Sequence, residues 1–316
     1  MALTTTQIFS LLQLRGVGRK SILKIAEKLG HGQVKNEELL NFLSNSIREK
    51  NKENLSEALF RKSEEILSCS DKLDIKALSY FDEQFPDCFR TALDENGKPQ
   101  PPMIIFYKGN ISLLSQKSIA IIGRRNSSDL AQKISYNLAR SVAEEGLCIV
   151  SGLAEGCDTY AHLGALSANK GKTVAILAHG LDMVYPKINM TLARRIVDNQ
   201  GLLISEYPLY TLPTKYSFVD RDRLQSALAL ATVVVETEVE GGSFHAARAC
   251  LKANKRLFTI DSPFSPINCS VGSRELVKEG GKLLSVNDVT KDFKVITKDI
   301  LSSSEECIQE ELDLFQ

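Results

Sequence analysis

The sequence predicts an α/β protein in which a doubly wound, mainly parallel sheet follows a small all-helical unit. Between residues 118 and 286, short apolar runs rich in Val and Ile alternate with helical patterns such as Leu130–Glu145 and Phe244–Ala253. The runs do not alternate polar and apolar residues, so both faces of each strand are expected to be buried, as in a parallel sheet. The predicted strands are Ile119–Ile122, Leu147–Val150, Thr173–Ala178, Leu202–Ile204, Thr232–Val235 and Leu257–Ile260.

The chain divides into four predicted parts. Residues 1–75 carry apolar residues at helical spacing and form the helical unit. Residues 76–110 are rich in proline and are expected to be a connector that packs on the next part, with one strand at Met103–Tyr107. Residues 111–287 hold the sheet, and residues 288–316 form an acidic, flexible tail.

Composition excludes several classes of protein. The apolar share of 43% and the charged share of 25% are those of a folded chain, which excludes disorder as the main state. Lys and Arg number 39 and so do Asp and Glu, so a uniformly basic nucleic-acid coat is excluded, while a local basic patch is not. No run of apolar residues predicts a membrane span, and the N-terminus lacks a signal-peptide pattern.

The spacing of cysteines and histidines predicts neither disulfides nor a metal site. The seven cysteines are scattered, odd in number and without a CxxC pair, so reduced thiols in a cytoplasmic protein are expected. The four histidines are isolated and lack the spacing of zinc ligands. We therefore expect no metal and no cofactor.

A glycine turn near the N-terminus has the pattern of a helix-hairpin-helix. Gly16 and Gly18 flank a valine between two predicted helices, which allows a tight turn with exposed backbone N–H groups at the start of the second helix. Such a turn binds a DNA phosphate, and Arg19 and Lys20 would add positive charge. An ordinary turn between helices explains the same residues, so a secondary contact with DNA and a purely structural turn both stay open.

The first predicted strand of the sheet runs directly into a glycine and two arginines. Gly123 lets the backbone approach a ligand, and Ser127 or Ser128 can cap the helix that follows. Arg124 and Arg125 beside a helix N-terminus favour an anion, most simply a phosphate. The pattern is not GxGxxG, so the usual dinucleotide fingerprint is not supported. The alternative is an arginine in a surface salt bridge.

Two more glycine loops follow predicted strands and are expected to converge on the same sheet edge. Their backbone N–H groups would cradle an anion. Asp158, at the end of the first loop, is expected to cap a helix or orient a neighbour, since like charges repel. The candidate ligand-binding residues are Ser151, Gly152 and Gly156 in one loop and Gly241, Gly242 and Ser243 in the other.

An aromatic residue and two arginines form a further candidate site. Phe218 would stack on a base, and Arg221 and Arg223 would neutralise phosphates. The segment also suits a helix N-terminus with Asp220 as cap and Asp222 in its first turn, and both interpretations can hold together.

Together, these segments resemble the DNA-processing protein A family, also called DprA or Smf. The resemblance covers about residues 76–286, with a weaker one over the N-terminal helices. It implies an extended Rossmann-like fold, single-stranded DNA bound at the strand-end pocket, a homodimer, and loading of the recombinase RecA onto that DNA in transformation and recombination. The segments that carry it are Ile121–Ser128, Ser151–Asp158, Ala161–Leu166, Gly171–Leu177, Gly180–Asp182 with Tyr185-Pro186, and Ser205–Pro208.

The alignment implied by this resemblance has particular departures. The family's motif arginine aligns with Arg125 rather than Arg124, and its Phe-x-x-Arg-Asn-Arg segment aligns with Phe218 to Arg223. The asparagine of that segment is Asp222 here, which places a negative charge beside the proposed phosphate site. The chain also lacks room for the C-terminal winged helix of many members, so a divergent member is expected.

The favoured function is single-stranded DNA binding rather than catalysis. No nucleophile–base pair is evident, and Cys157 is expected to be a small buried apolar residue. Two alternatives stay open. One is a nucleotide hydrolase of the related lysine-decarboxylase-like group, whose glycine-rich segment is poorly matched and for which Glu236 is a distant candidate. The other is a sensor that binds a free nucleotide in the same pocket and acts in a defence system.

The acidic tail ends in a short peptide that is similar to a known binding peptide. Glu311 to Phe315 is similar to the Gln-Leu-(Ser/Asp)-Leu-Phe peptide that bacterial proteins insert into the replication sliding clamp. A clamp contact would use Leu312, Leu314 and Phe315. An amphipathic end that packs on its own domain is the alternative.

Overall fold

A single mixed sheet organises the chain. The computed structural model describes residues 3–30, 32, 34–46, 56–261, 267–285 and 297. Within these residues the six strands predicted from apolar runs are all present, each within one residue of its predicted ends. The strands are β1 (Lys76–Ser79), β2 (Ile104–Gly109), β3 (Ser118–Ile122), β4 (Cys148–Ser151), β5 (Thr173–Leu177), β6 (Leu202–Ser205), β7 (Ala231–Val234), β8 (Arg256–Asp261) and β9 (Lys282–Ser285).

The order of the strands creates a switch point between β3 and β7. Over the described residues the order is β1-β2-β6-β5-β4-β3-β7-β8-β9, and the strands from β3 onward pair in parallel. The chain therefore winds outward from β3 in one direction through β6, and then from β7 in the other. Ile121 pairs with Val233 at this centre. A ligand site is expected where the two directions diverge, beyond the carboxyl ends of these strands.

Helices cover both faces of the sheet, which confirms the doubly wound α/β class. The helices are α1 (Thr5–Leu12), α2 (Arg19–Leu29), α3 (Asn36–Ser46), α4 (Glu57–Lys72), α5 (Asp87–Arg90), α6 (Asp129–Glu144), α7 (Cys157–Ser167), α8 (Met190–Asp198), α9 (Lys215–Leu228), α10 (Gly242–Lys252) and α11 (Ile267–Lys278). Ile119 and Ile121 of β3 pack with α6 and α7, while Ala120 packs with α9 on the other face. Alternate residues of this apolar strand thus pack into the hydrophobic cores on the two faces of the sheet, as the run of Val and Ile predicted.

The N-terminal helices share a hydrophobic core with one side of the sheet. The side chain of Thr4 caps α1 in a capping box with Gln7. The ring of Phe9 on α1 meets the ring of Phe106 on β2 edge to face, with centroids 6.0 Å apart. The same apolar cluster reaches Leu177 of β5. The helical unit is therefore packed directly on the sheet.

The segment between the helices and the first parallel strand contributes to the sheet. Residues 76–110, predicted as a connector, supply β1 and β2, and β2 pairs antiparallel with β6. The predicted strand Met103–Tyr107 is β2, shifted toward Gly109. The division of the chain into four parts stays a prediction.

Several predictions from the sequence fall where no structure is described. Apart from Thr297, the acidic tail at 288–316 lies outside the described residues, including the clamp-like residues Leu312, Leu314 and Phe315. The same is true of His31 and of Cys307. The other six cysteines are free thiols. Over the described ranges, no helix has the length and apolar character needed to cross a lipid bilayer.

A buried histidine lies under the sheet. His162 on α7 is fully buried, and its Nδ1 lies 2.7 Å from the hydroxyl of Thr173. That hydroxyl donates to the carbonyl of Ile149, so Nδ1 must carry the proton. Burial, together with the positive charge of Arg221, lowers the pKa of His162 to about 3. The imidazole is therefore neutral in the folded protein at neutral pH.

This histidine makes the folded state sensitive to acid. The pKa of His162 is about 6.5 in the unfolded chain and lower in the folded protein. At pH values between these two, the unfolded chain binds a proton that the folded chain does not, so the free energy of unfolding falls as pH falls. When the pH is lowered from 7 to 5, we expect the unfolding free energy of the wild type to fall by about 2 kcal/mol more than that of His162→Asn. Urea unfolding at both pH values measures this, with His245→Asn as the control. Equal losses in wild type and His162→Asn would contradict it.

Candidate nucleic-acid interface

A cleft of about 280 Å³ opens at the switch point of the sheet. Its walls come from four elements that the topology brings together: the loop after β3, the segment from β4 into α7, the loop from β7 into the start of α10, and one face of α9. Glycine loops that follow separate strands thus meet at one sheet edge, as the sequence predicted.

The buried carboxylate of Glu236 joins the two central loops. Glu236 follows β7 and is 2% exposed. It accepts hydrogen bonds from the backbone N–H of Ser128 at 2.9 Å and from the Ser128 hydroxyl at 3.0 Å. The Ser128 oxygen also caps α6 by accepting from the N–H of Ala131. The predicted capping role of Ser128 is confirmed, but both of its polar groups already bond within the protein.

The two neighbouring arginines of the first loop diverge. Arg124 forms an ion pair with Glu238, with 2.7 Å between Nη2 and Oε1. Arg125 is exposed, and its guanidinium carbon lies 4.1 Å from the centre of the Phe218 ring. Arg124 thus takes the salt-bridge role that was the alternative interpretation, and Arg125 is the arginine that lies open at the cleft.

The loop after β4 supports the cleft from below. Ser151 is fully buried and donates to the carbonyl of Ile121 at 2.7 Å. The N–H of Gly152 donates to Asp158 at 3.1 Å, so Asp158 orients its own loop, as predicted. A side chain at Gly152 would overlap the guanidinium of Arg221. The glycine is therefore required because Arg221 packs against the backbone there.

Gly123 and Gly156 allow the first two loops to touch. A Cβ at Gly123 would lie 2.8 Å from the Cβ of Cys157. Gly156 has a φ of +75°, and a Cβ there would collide with the carbonyl oxygens of Arg124 and Arg125. The backbone approach predicted for these glycines is present, and in this structure it is an approach of one loop to the other.

One face of α9 lines the cleft and the opposite face does not. Phe218, Arg221, Asp222 and Gln225 have the spacing of a single helical face and all line the cleft. Arg223 points away from them, is 3% exposed, and forms a two-pronged ion pair with Glu206 at 2.6 and 2.8 Å. The structure therefore does not bring Arg223 to the predicted site.

Buried carboxyl groups surround Arg221. Its Nε lies 2.9 Å from Asp222 Oδ1, and its Nη1 donates to the carbonyl of Ile176 at 2.6 Å. Burial raises the pKa of Asp222 to about 7, with the nearby negative charge of Asp158 acting in the same direction. Burial also raises the pKa of Asp158. Burial thus reduces the negative charge that was predicted beside the phosphate site, while the positive charge of Arg221 favours the ionised form of Asp222.

The third loop places the start of α10 on the cleft. Gly241 is the N-cap, and the N–H groups of Gly242 and Ser243 belong to the first turn, where a helix has no internal acceptor for them. The hydroxyl of Ser243 donates to Thr237 at 2.8 Å. Gly241, Gly242 and Ser243 all line the cleft; the N–H of Gly241 donates to the carbonyl of Glu238, so the N–H groups of Gly242 and Ser243 are the ones that face an anion there.

The N-terminal glycine turn lies between α1 and α2, as predicted. Gly16 has a φ of +80°, and Gly18 is the extended N-cap of α2. A Cβ at either position would have no neighbour within 4 Å, so the turn is open on its outer side. Lys20 is exposed, whereas Arg19 reaches Glu206 at 3.4 Å. Contact of this turn with DNA stays a prediction.

Comparison with known proteins agrees with this arrangement. The sequence matches the family model described as DNA recombination-mediator protein A over residues 76–294. The chain belongs to the DprA family. A DNA processing protein DprA of Streptococcus pneumoniae is 35% identical over 231 residues, which is 71% of this chain and 79% of that protein. The corresponding Bacillus subtilis protein is 29% identical over 240 residues, which is 75% of this chain and 77% of that protein.

Two solved DprA structures share the fold. The X-ray structure of the Streptococcus pneumoniae protein has a TM-score of 0.71 and 28% identity, and the match covers 92% of this chain and 98% of that one. A Helicobacter pylori DprA structure, described by its single-stranded DNA binding mode, has a TM-score of 0.60 and 29% identity. That match covers 71% of this chain and 96% of the other. The chain is thus a DNA-processing protein of the DprA family.

The groups that could suggest catalysis are held in structural contacts. Burial raises the pKa of Cys157 to about 12, so its thiol stays protonated, as expected of a small buried residue. His162 is neutral below the sheet, and Glu236 binds Ser128. Within the described ranges, no group of His, Cys, Asp or Glu side chains could hold a metal ion.

Tyr185 beside the cleft and Gln225 within it were not among the ligand-binding residues predicted from the sequence. The ring of Tyr185 lies 6.0 Å from that of Phe218 and extends the aromatic surface at the mouth of the cleft. Gln225 lies one helical turn beyond Arg221 and Asp222. The helical spacing from Phe218 could have identified Gln225, but Tyr185 is distant in the chain and has no local signal.

A pair of glycine variants tests the contact between the first two loops. Gly146 and Gly156 both have positive φ, but a Cβ at Gly146 meets nothing within 4 Å. We expect Gly146→Ala to lose about 1–2 kcal/mol of unfolding free energy from conformational strain. Gly156→Ala adds a steric clash and is expected to lose about 1–3 kcal/mol more. Urea unfolding of both variants measures the difference, and equal losses would show that the close approach is absent.

Proposed function

We propose that the chain binds single-stranded DNA at the cleft, with unpaired bases stacked at its mouth. The observation that carries the proposal is the arrangement of Arg125 over the ring of Phe218 at 4.1 Å. Tyr185 extends this surface. Aromatic rings and guanidinium planes stack on the exposed bases of a single strand, and a duplex does not offer such bases.

The surrounding groups suit the phosphates of the strand. Arg125 supplies a positive charge at the mouth, and the N–H groups of Gly242 and Ser243 point from a helix N-terminus. Gly123, Gly152 and Gly156 act by shaping the loops, and Ser128 and Ser151 by fixing them. The structure of the Helicobacter pylori relative, described by its single-stranded DNA binding mode, supports the same class of ligand.

The wider role we propose is loading of a RecA-like recombinase onto the bound strand by a homodimer in the cytoplasm. The family description as a recombination mediator supports it. The six described free thiols suit a reducing compartment. Sedimentation of the purified chain tests the dimer, and growth of recombinase filaments on DNA coated with single-strand binding protein tests loading. Clamp binding by the C-terminal peptide stays a separate prediction.

Removing the charge of Arg125 should weaken binding and reduce its dependence on salt. We expect Arg125→Ala to bind labelled oligo-dT about tenfold more weakly, with the slope of log K against log salt reduced by about 0.7 for one lost phosphate contact. Fluorescence anisotropy over a salt series measures both values. Duplex DNA and mononucleotides serve as competitors, and a mononucleotide that competes fully while oligo-dT does not bind would favour the nucleotide-sensor alternative.

The matched control for this experiment is Arg140→Ala. Arg140 is an exposed arginine about three turns along α6, paired with Glu144 on the surface. It loses the same charge away from the cleft, so the salt slope should stay that of the wild type. Equal effects of the two variants would show only a change in overall charge and would refute a site at the cleft.

Removing the ring of Phe218 should weaken binding without changing the salt slope. Stacking contributes about 1–3 kcal/mol per base, so Phe218→Leu should reduce affinity for oligo-dT by at least about fivefold. Val219→Ala changes the exposed neighbour on α9 and is the control. The same anisotropy series reports both. Affinity of Phe218→Leu equal to that of the control would exclude stacking on this ring.

A further inference from the structure

The floor of the cleft carries a carboxylate with one paired oxygen and one open oxygen. Asp222 is 6% exposed, and its Oδ1 pairs with Arg221 at 2.9 Å. Its Oδ2 lies 3.3 Å from the position that a Cβ would take at Gly242, at the lining of the cleft. Within the described residues, no donor forms a hydrogen bond with Oδ2. Because Asp222 lines the cleft, a ligand that brings an N–H donor to this oxygen can form a hydrogen bond with it.

The charges that line the cleft disfavour a phosphate in its interior. Three arginines and three carboxylates line it, so their formal charges cancel: Arg124, Arg125, Arg221, Asp158, Asp222 and Glu238. Arg124 and Arg221 are paired with carboxylates, and Arg125 lies at the mouth. A phosphate is therefore attracted at the mouth, whereas the interior favours an uncharged group.

A second polar side chain, Gln225, lines the cleft on the same face of α9 as Asp222. The N–H of Gly152 and Nη1 of Arg221 both reach one terminal atom of the Gln225 amide, at 2.8 and 3.0 Å, so that atom is the oxygen. The NH₂ group of Gln225 is then left as a donor, three residues along the same helical face from Asp222. The helical face that lines the cleft thus carries one acceptor and one donor.

We propose that the cleft receives one unpaired nucleobase of the bound strand and that Asp222 makes it select guanine over thymine. This inference rests on the proposed function, since it assigns the base that the single-stranded DNA places inside. A cleft of about 280 Å³ is close to the smallest ligand pockets, of about 300 Å³, and suits one base rather than a length of strand.

The chemistry of the two bases explains the selection. Guanine presents a carbonyl oxygen next to two N–H donors on one edge, which matches the Gln225 amide and the Asp222 carboxylate. Thymine presents a single N–H between two carbonyl oxygens, and the second carbonyl would face the carboxylate. A carboxylate therefore accepts hydrogen bonds from guanine and repels thymine at the same position.

The test compares two labelled strands by fluorescence anisotropy on the full chain. One strand is oligo-dT, and the other carries isolated guanines at every fourth position, a spacing that avoids folded guanine structures. We expect the wild type to bind the guanine strand at least about fivefold more tightly than oligo-dT. Asp222→Asn, which is isosteric and still gives Arg221 an oxygen partner, should lose this preference and bind oligo-dT more tightly.

Glu238→Gln is the matched control. Glu238 lines the same cleft and pairs with Arg124, but its side chain is 38% exposed. The substitution removes one negative charge without changing the floor, so binding of oligo-dT should strengthen while the guanine preference remains. If Glu238→Gln and Asp222→Asn lose the preference equally, charge and not recognition by Asp222 is responsible, and the proposal is overturned.

The preference should also depend on pH in the wild type. Burial raises the pKa of Asp222 to about 7, so the carboxylate form increases between pH 6 and pH 8. The guanine preference should therefore grow over that range, and Asp222→Asn should show no such growth. The charged groups that face Asp222 are Arg221 on its own helix, Asp158 on α7, Arg125 on the loop after β3 and His245 on α10. All four are retained in the variant.

The possible outcomes separate this inference from the proposed function. Wild-type binding that is equal for both strands, with the same ratio in Asp222→Asn, overturns guanine selection and leaves single-stranded DNA binding in place. No binding of either strand overturns both. A preference that is lost only in Asp222→Asn, in protein whose thermal unfolding matches the wild type, supports selection by this carboxylate.

Discussion

The hydrogen bonds of one buried carboxylate determine where the cleft forms. Glu236 follows β7 and accepts hydrogen bonds from the N–H and hydroxyl of Ser128 at the start of α6, while its own carbonyl accepts from the N–H of Arg124 at 2.9 Å. The two loops that diverge from the centre of the sheet are thereby held together. Since Arg125 lies between these bonded positions, the direction in which its side chain leaves the backbone follows from them.

The same constraint divides the arginines by their surroundings. Arg124 lies against Glu238, and Arg221 is enclosed with Asp222 and Asp158, so both positive charges are offset locally. Arg125 stays at the surface over Phe218. Positive charge is thus concentrated at the mouth, where it can contact the phosphates of a bound strand. In the interior the charges are balanced, and the side chains offer hydrogen bonds. A single strand of nucleic acid has the same division between its phosphates and its bases.

The sequence predicted the buried strands because strands that are covered on both faces of the sheet are apolar at every position. It did not predict β1 or β9. Those edge strands are four residues long and keep exposed positions, so they lack that signature. The glycine loops were predicted since strand ends converge in this topology. Arg223 lies two residues from Arg221, and that spacing places the two side chains on different faces of a helix, so Arg223 does not reach the cleft. Tyr185 depended on a tertiary contact that no local pattern records.

The position of Arg223 gives α9 a second role. Its two ion-pair contacts with Glu206 face away from the cleft, and Arg19 of the N-terminal turn reaches the same carboxylate at 3.4 Å. Removing one partner of a buried ion pair leaves an uncompensated charge, which costs about 3–5 kcal/mol, so this contact strongly favours one placement of the helix. The helical unit and the cleft-lining face of α9 are therefore connected through Glu206. Arg223, which the sequence motif assigned to DNA, instead fixes the helix on which Phe218, Arg221 and Asp222 are presented.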